Sequence, residues 1–333
     1  MIRYADSMVA HSSHLESMLY DALGALGGLL ADDSVREIMV NGPNQVWVEQ
    51  RGCLLPLGLK FSAQDGFNVI HVVAALAARD AGFSSASRVL DAAFSHWRIS
   101  AVLPPVAVLG PALCIRKHGA EIFPLRRFSV PDGGLPTPET FCSEEVFRED
   151  ELLDRLISWL VKGRNLLVSG GTGTGKTALL NALIAQIPKD QRLVVIEDTH
   201  EIKLDCPNHV IFEAIPSAGV TLRDLVRQAL RFRPDRIIVG EVRGPEAFDL
   251  LQAMNTGHSG CLGTLHANSS EDALQRMVQL VLQAGMGWSE EAIARQVGRS
   301  VQGVVHLARV RGVRFIQQLQ QVEGYDNGRY QLS

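Results

Sequence analysis

The residues with the most legible chemistry are Gly170, Gly171, Thr172, Gly173, Thr174, Gly175, Lys176 and Thr177, which spell G-x-x-x-x-G-K-T. The apolar run Leu166-Leu167-Val168 precedes them, and a helical pattern from Ala178 to Ile184 follows. Strand, glycine loop and helix in that order form the setting that a phosphate-binding loop requires. Backbone carries the chemistry. Glycines let successive N–H groups turn inward around phosphate oxygens, and the helix behind points its positive end at them. Lys176 then reaches the β- and γ-phosphates, and the Thr177 hydroxyl holds Mg2+. From average residue usage, these fixed positions match by chance in a chain this long about one time in a hundred. The flanking pattern lowers that further, so the stretch implies a nucleoside triphosphate.

Other reactive side chains fall at the ends of strand-like runs. In open parallel sheets, ligands sit at the carboxyl ends of strands. The run Arg192–Ile196 ends at Glu197-Asp198, Arg236–Val239 ends at Gly240-Glu241, and Cys261–Leu265 ends at His266. Triphosphate hydrolysis needs a metal clamp, a group that orients water, and cations for the developing charge. Glu197 is read as the water-orienting carboxylate and Glu241 as the acid that organises Mg2+ through its water shell. The competing readings are a solvated strand-end acid for Glu241 and a turn cap for Asp198. His266 is placed to hydrogen-bond the γ-phosphate and report its loss. His258 enters the same strand; a metal site there lacks a third ligand at suitable spacing. Arg223, Arg227 and Arg231 share one helix face, as an ion-paired stripe or as a subunit interface supplying charge to a neighbouring site.

These groups need two kinds of scaffold. At 333 residues the chain is long enough for two domains. Residues 12–31 carry leucines and methionines at helical spacing. Val35–Val40 and Gln45–Glu49, around Asn41-Gly42-Pro43-Asn44, read as a hairpin, with a third strand over Cys53–Phe61. A helix over Val69–Ala78 and strands over Arg98–Val102 and Ala112–Arg116 complete a small α+β domain, residues 1–118. Residues 119–148, with Pro131-Asp132-Gly133-Gly134-Leu135-Pro136, read as a linker. From 149 to 333, helices over 150–162, 220–232 and 245–256 alternate with β-branched runs, one of them His209–Ile215. That alternation predicts an α/β domain with a mostly parallel sheet covered on both faces. Helices over 269–284 and 289–299 and a meander over 301–332 end the chain.

Composition bounds the function. Thirty-two Lys and Arg stand against 36 Asp and Glu, a net charge of −4. That balance disfavours a protein whose main task is holding nucleic acid. The five cysteines are scattered without a C-x-x-C pair, which fits a reducing compartment. Residues 1–6 lack the apolar stretch of a signal peptide. The most apolar run, Ala101 to Ile115, is broken by Pro104, Pro105, Gly110 and Pro111 and cannot form a spanning helix. The expectation is a cytoplasmic protein with peripheral membrane contact.

A family resemblance joins these features. Arg233-Pro234-Asp235-Arg236-Ile237-Ile238-Val239-Gly240-Glu241-Val242-Arg243-Gly244 resembles the Walker B region of secretion traffic ATPases, where glycine replaces the usual aspartate as Gly240 does here. Val195-Ile196-Glu197-Asp198-Thr199 resembles their acidic box. Asn255-Thr256-Gly257-His258 through Thr264-Leu265-His266-Ala267-Asn268-Ser269 resembles their histidine box. Val35–Asn41, Leu103-Pro104-Pro105 and Ile115-Arg116-Lys117 have counterparts in the first domain, and Val322–Tyr330 is similar to the end of TrbB-type conjugal transfer ATPases. The resemblance implies a RecA-like P-loop NTPase domain behind a smaller N-terminal domain, and a homohexamer hydrolysing ATP with Mg2+. It implies partners in the inner-membrane secretion or conjugation apparatus, and Arg116 and Arg98 as first-domain charges for the phosphates. Before Arg98 the family's acidic-glycine turn is replaced by Ala93-Phe94-Ser95-His96-Trp97. A pilus assembly motor is the nearest alternative; a nucleic-acid translocase is a third reading, without a basic aromatic loop to support it.

Overall fold

Two sheets, built from opposite strand patterns, organise the protein. The computed structural model describes residues 20–21, 23–51, 53–81, 88–94, 97–117, 122–129, 151–310 and 313–333. Residues 12–19 and 22 of the helix expected over 12–31, and the Pro/Gly-rich stretch at 131–136, lie outside these. The chain divides into two units, Met1–Ala120 and Glu121–Ser333.

In the first unit a short helix α1 (Gly27–Ala31) leads into β1 (Val35–Val40), β2 (Val46–Gln50) and β3 (Cys53–Leu57). Helix α2 (Ala63–Ala81) and strands β4 (Val89–Ala93), β5 (Trp97–Val102) and β6 (Ala112–Lys117) follow. The sheet order is β3-β2-β1-β6-β5-β4, with every pair antiparallel. Alternation sends Val35, Ile38, Val40, Val46, Val48, Ile99 and Ile115 into a core closed by Val69, Ile70, Val73 and Leu76 of α2. Helix α2 begins six residues before its expected start. Ser62 and Asp65 cap it reciprocally: the Ser62 hydroxyl and N–H donate to the Asp65 carboxylate, and the Asp65 N–H donates back to Ser62 Oγ. Strand β4 has no counterpart in the sequence reading, because Asp91-Ala92-Ala93 lacks the β-branched signal and only pairing with β5 makes it a strand. The apolar run 101–115 forms the end of β5, a loop and part of β6; among the described residues no helix is long and apolar enough to cross a membrane.

The second unit begins with a single 3-10 turn, Leu125–Phe128, inside the stretch expected to be a linker. Leu125 and Phe128 are buried in this unit's core, which ties these residues down despite the flanking Pro/Gly composition. Next come α3 (Glu151–Val161), β7 (Leu166–Gly170), α4 (Lys176–Ile184), β8 (Leu193–Glu197), β9 (His209–Glu213) and α5 (Leu222–Ala229). Strand β10 (Arg236–Val239), α6 (Glu246–Asn255), β11 (Leu262–Leu265), α7 (Ser270–Leu282) and α8 (Glu290–Ser300) continue it. Strands β12 (Gly303–Val310), β13 (Val313–Asp326) and β14 (Arg329–Leu332) complete it. The sheet order is β14-β13-β12-β7-β11-β10-β8-β9, parallel from β12 to β9 and antiparallel at β13 and β14. Successive residues face opposite sides. Leu166, Val168, Leu193 and Val195 pack against α3 and α4, whereas Leu167, Val194, Ile196, Ile237 and Val239 pack against α5 to α8. The sheet is therefore buried on both faces, as its apolar runs require.

Candidate functional site

The candidate phosphate loop, residues 170–177, lies where β7 ends and α4 begins, at the carboxyl end of the parallel sheet. Its first glycine is sterically required. Gly170 has φ +156°, and a Cβ there would meet the Leu307 carbonyl at 2.7 Å and Thr174 Oγ at 2.6 Å. Lys176 is 7% exposed. Its Nζ donates to the carbonyls of Gly170 and Gly171 at 3.1 and 3.0 Å and lies 3.3 Å from His266 Nδ1. Thr177, in the first turn of α4, is half-buried.

Glu241 and His266 converge on that lysine. His266 Nε2 lies 3.0 Å from Glu241 Oε1. The approach lacks hydrogen-bond alignment, so this buried oxygen has no donor and the contact is electrostatic. Glu241 Oε2 accepts from Arg243 at 2.5 Å, and Arg243 also donates to Asp198 at 2.8 Å. Burial pushes the Glu241 carboxyl up, but Arg243, His266 and Lys176 together outweigh it and hold the group below its ordinary value. The hydrogen bond to Glu241 in turn raises Arg243. The turn that carries this pair is fixed by Glu246, whose carboxylate accepts the N–H groups of Arg243 and Gly244 at 2.7 and 2.8 Å. Asp198 is thus an ion-pair partner here.

Glu197 is held differently. It is 2% exposed; Oε1 accepts from the N–H groups of Glu201 and Ile202, both at 2.9 Å, and Oε2 lies 2.9 Å from His200 Nδ1. Glycine at 240 leaves room for it: a Cβ there would sit 3.1 Å from Glu197 Cγ, so an aspartate would press a second carboxylate against the first. The Glu197 hydrogen bond raises His200 above its ordinary 6.5, with burial opposing. A raised folded-state value means that the pairing adds stability fully present below 6.5 and lost as pH rises through the folded value. The melting-temperature gap between wild type and His200→Gln is therefore expected to be larger at mildly acidic than at mildly alkaline pH. Equal gaps would show that the two side chains are not coupled.

The remaining candidates separate. His258 precedes β11, at the amino end of the sheet, away from the loop; its carbonyl accepts the Cys261 thiol at 3.2 Å. Arg223 and Arg227 grip the two oxygens of Asp249 on α6 at 2.7 and 2.8 Å, the ion-paired form of that stripe. In the first unit, Arg98 and Arg116 are cross-strand neighbours on β5 and β6. Arg98 binds both oxygens of Asp91 at 3.2 and 2.8 Å; part of the altered turn before it, 95–96, lies outside the described residues. Among the described residues no cluster of His, Cys, Asp and Glu could hold a metal by itself. Cys53, Cys114, Cys206 and Cys261 are free thiols. Sequence reading missed Arg243 and His200 as partners of the two acids. It also missed Ser169 Oγ against His306 Nδ1, 3.0 Å apart behind the loop.

Comparison with known proteins finds relatives along most of the chain. Residues 145–325 match the family profile of the type II/IV secretion system proteins. Conjugal transfer protein TrbB of Rhizobium radiobacter is 33% identical over 317 residues, 94% of this chain and 92% of that protein. Type IV secretion system protein PtlH of Bordetella pertussis is 36% identical over 279 residues, 78% of this chain and 81% of that protein. The X-ray structure of the Legionella pneumophila ATPase DotB matches with a TM-score of 0.58 at 19% identity, covering 97% of this chain and 81% of that one, a likeness of fold. With its profile match and near full-length kinship to TrbB, the chain belongs to the type II/IV secretion system protein family.

Proposed function

We propose that this protein is an ATP hydrolase that powers conjugal transfer or type IV secretion, working as a homohexamer at the cytoplasmic face of the inner membrane. The observation that carries the reading is the convergence of Lys176, His266 and Glu241 from three elements of the sheet's carboxyl edge. The near full-length kinship to a conjugal transfer protein supplies the process. Lys176 exchanges its contacts with the Gly170 and Gly171 carbonyls for phosphate oxygens when ATP binds. His266, in contact with both Lys176 and Glu241, is our candidate for registering the γ-phosphate.

The donor set fits Mg2+, a hard cation that takes oxygen ligands and keeps much of its water. Glu241 Oε1 is a buried acceptor without a donor, and a metal-bound water would satisfy it. The Thr177 hydroxyl and, through water, Glu241 would hold the ion, which would neutralise charge on the transferring phosphate. Glu197 is our candidate for orienting the attacking water. In that role it has to exchange one of its partners, the Glu201 and Ile202 amides or His200. Arg98 and Arg116 enter as candidates from the resemblance.

The test is specific ATPase activity across a range of protein concentrations, with and without single-stranded DNA. Activity per subunit that rises with concentration and ignores DNA is the expected result, since composite sites form as a ring assembles. A flat profile with a monomer by sizing would overturn the hexamer. Strong stimulation by DNA would put a nucleic-acid translocase in its place.

A further inference from the structure

The C-terminal hairpin touches the phosphate loop. Strand β12 runs parallel to β7, with His306 opposite Ser169 and Leu307 opposite Gly170. Strand β7 stops at Gly170, but β12 continues to Val310, so its last residues overhang the loop. There Arg309 and Arg314 are cross-strand partners on one face of the β12–β13 ribbon. Arg314 Nε donates to the Gly173 carbonyl at 2.9 Å. Arg314 Cδ lies 3.0 Å from where a Cβ on Gly175 would sit, and Arg309 Nη1 lies 3.2 Å from the same point on Gly173.

We propose that this hairpin is a working part of the nucleotide site, with Arg314 as a positioning residue for the phosphate loop. The proposal rests on the ATP-hydrolase reading. In a trans peptide the C=O and the following N–H point in opposite directions. Holding the Gly173 carbonyl against Arg314 therefore turns the Thr174 N–H away from the hairpin, toward the phosphates. The Thr174 hydroxyl donates to the Gly171 carbonyl at 2.9 Å and closes the loop within itself. A glycine-rich segment otherwise loses much conformational freedom on binding. With its peptides aimed beforehand, the loop meets the phosphates with less of that cost. Arg309 covers the loop at Gly173, where a Cβ would sit 3.2 Å from its guanidinium and the arginine would have to give way.

The experiment compares wild type, Arg314→Ala and Arg314→Lys by fluorescent ADP binding, steady-state ATP hydrolysis and amide hydrogen exchange over residues 170–177. Loss of one hydrogen bond from a charged donor is expected to weaken ADP binding about tenfold. KM for ATP should rise with it, kcat should change less, and the loop amides should exchange faster. Lysine, which has no donor at the Nε position, should give intermediate values. Alanine with wild-type ADP affinity and wild-type loop exchange would overturn the proposal. If the alanine variant does not fold, a folded lysine variant with wild-type affinity and exchange overturns it. Wild type that binds no nucleotide would overturn the ATPase reading along with it, whereas normal wild-type binding with an unaffected Arg314→Ala removes the positioning role alone.

Discussion

Lys176→Ala is expected to lower ATP turnover by about a thousandfold while leaving the protein folded. The lysine is the cation seated inside the loop, on the Gly170 and Gly171 carbonyls and beside His266. Phosphoryl transfer is catalysed mainly by placing charge where the equatorial oxygens develop theirs. Alanine leaves the glycine backbone and the dipole of α4 in place, so some affinity for the phosphates should remain. Turnover at saturating ATP, fluorescent-nucleotide binding and a melting curve separate the possibilities. Wild-type hydrolysis by the folded variant would remove the loop from the active site. A large drop in melting temperature would instead assign the lysine to holding the loop's carbonyls.

Glu241→Gln is expected to cost about a hundredfold in turnover, with ATP binding changed only a few fold. Glutamine keeps the shape and can still accept from Arg243, but the charge beside Lys176 and His266 is lost. Arg243 keeps its partner Asp198, so the turn should stay in place. The companion variant Glu197→Gln is expected to behave otherwise. Its carboxylate takes two backbone N–H groups and faces His200 in a site with 2% exposure. The glutamine oxygen can keep both N–H groups, so its amide faces His200 and the charged hydrogen bond there is lost, at a cost in stability on the order of 1–3 kcal/mol. Single-turnover hydrolysis and melting curves for both variants decide the roles. Trapped ATP in a stably folded Glu197→Gln would strengthen its assignment as the water-orienting acid. Normal turnover in Glu241→Gln would end the proposal that Glu241 works at the phosphates.

By itself the sequence determined the glycine loop between a strand and a helix, the order of helices and strands apart from β4, and the strand ends at which acids and a histidine stand. These are local properties: glycine spacing decides how a loop can turn, and runs of apolar residues decide which segments need covering on one face or two. Tertiary structure alone decided the partners. Arg243 joins Glu241 to Asp198, 45 positions from the arginine, because β8 and β10 are neighbours in the sheet. Glu197 is occupied by the backbone of the turn that follows it, which no side-chain pattern announces. The same is true of Leu125 and Phe128, whose setting reads as linker until the core receives them. The clearest case is Arg314, 141 positions from the glycine whose carbonyl it holds. As text, the terminal meander was visible only as strands. Its place against the phosphate loop exists because β12 returns beside β7 in parallel register. Register and strand order are set by the packing of the whole sheet, and no short stretch of residues encodes them.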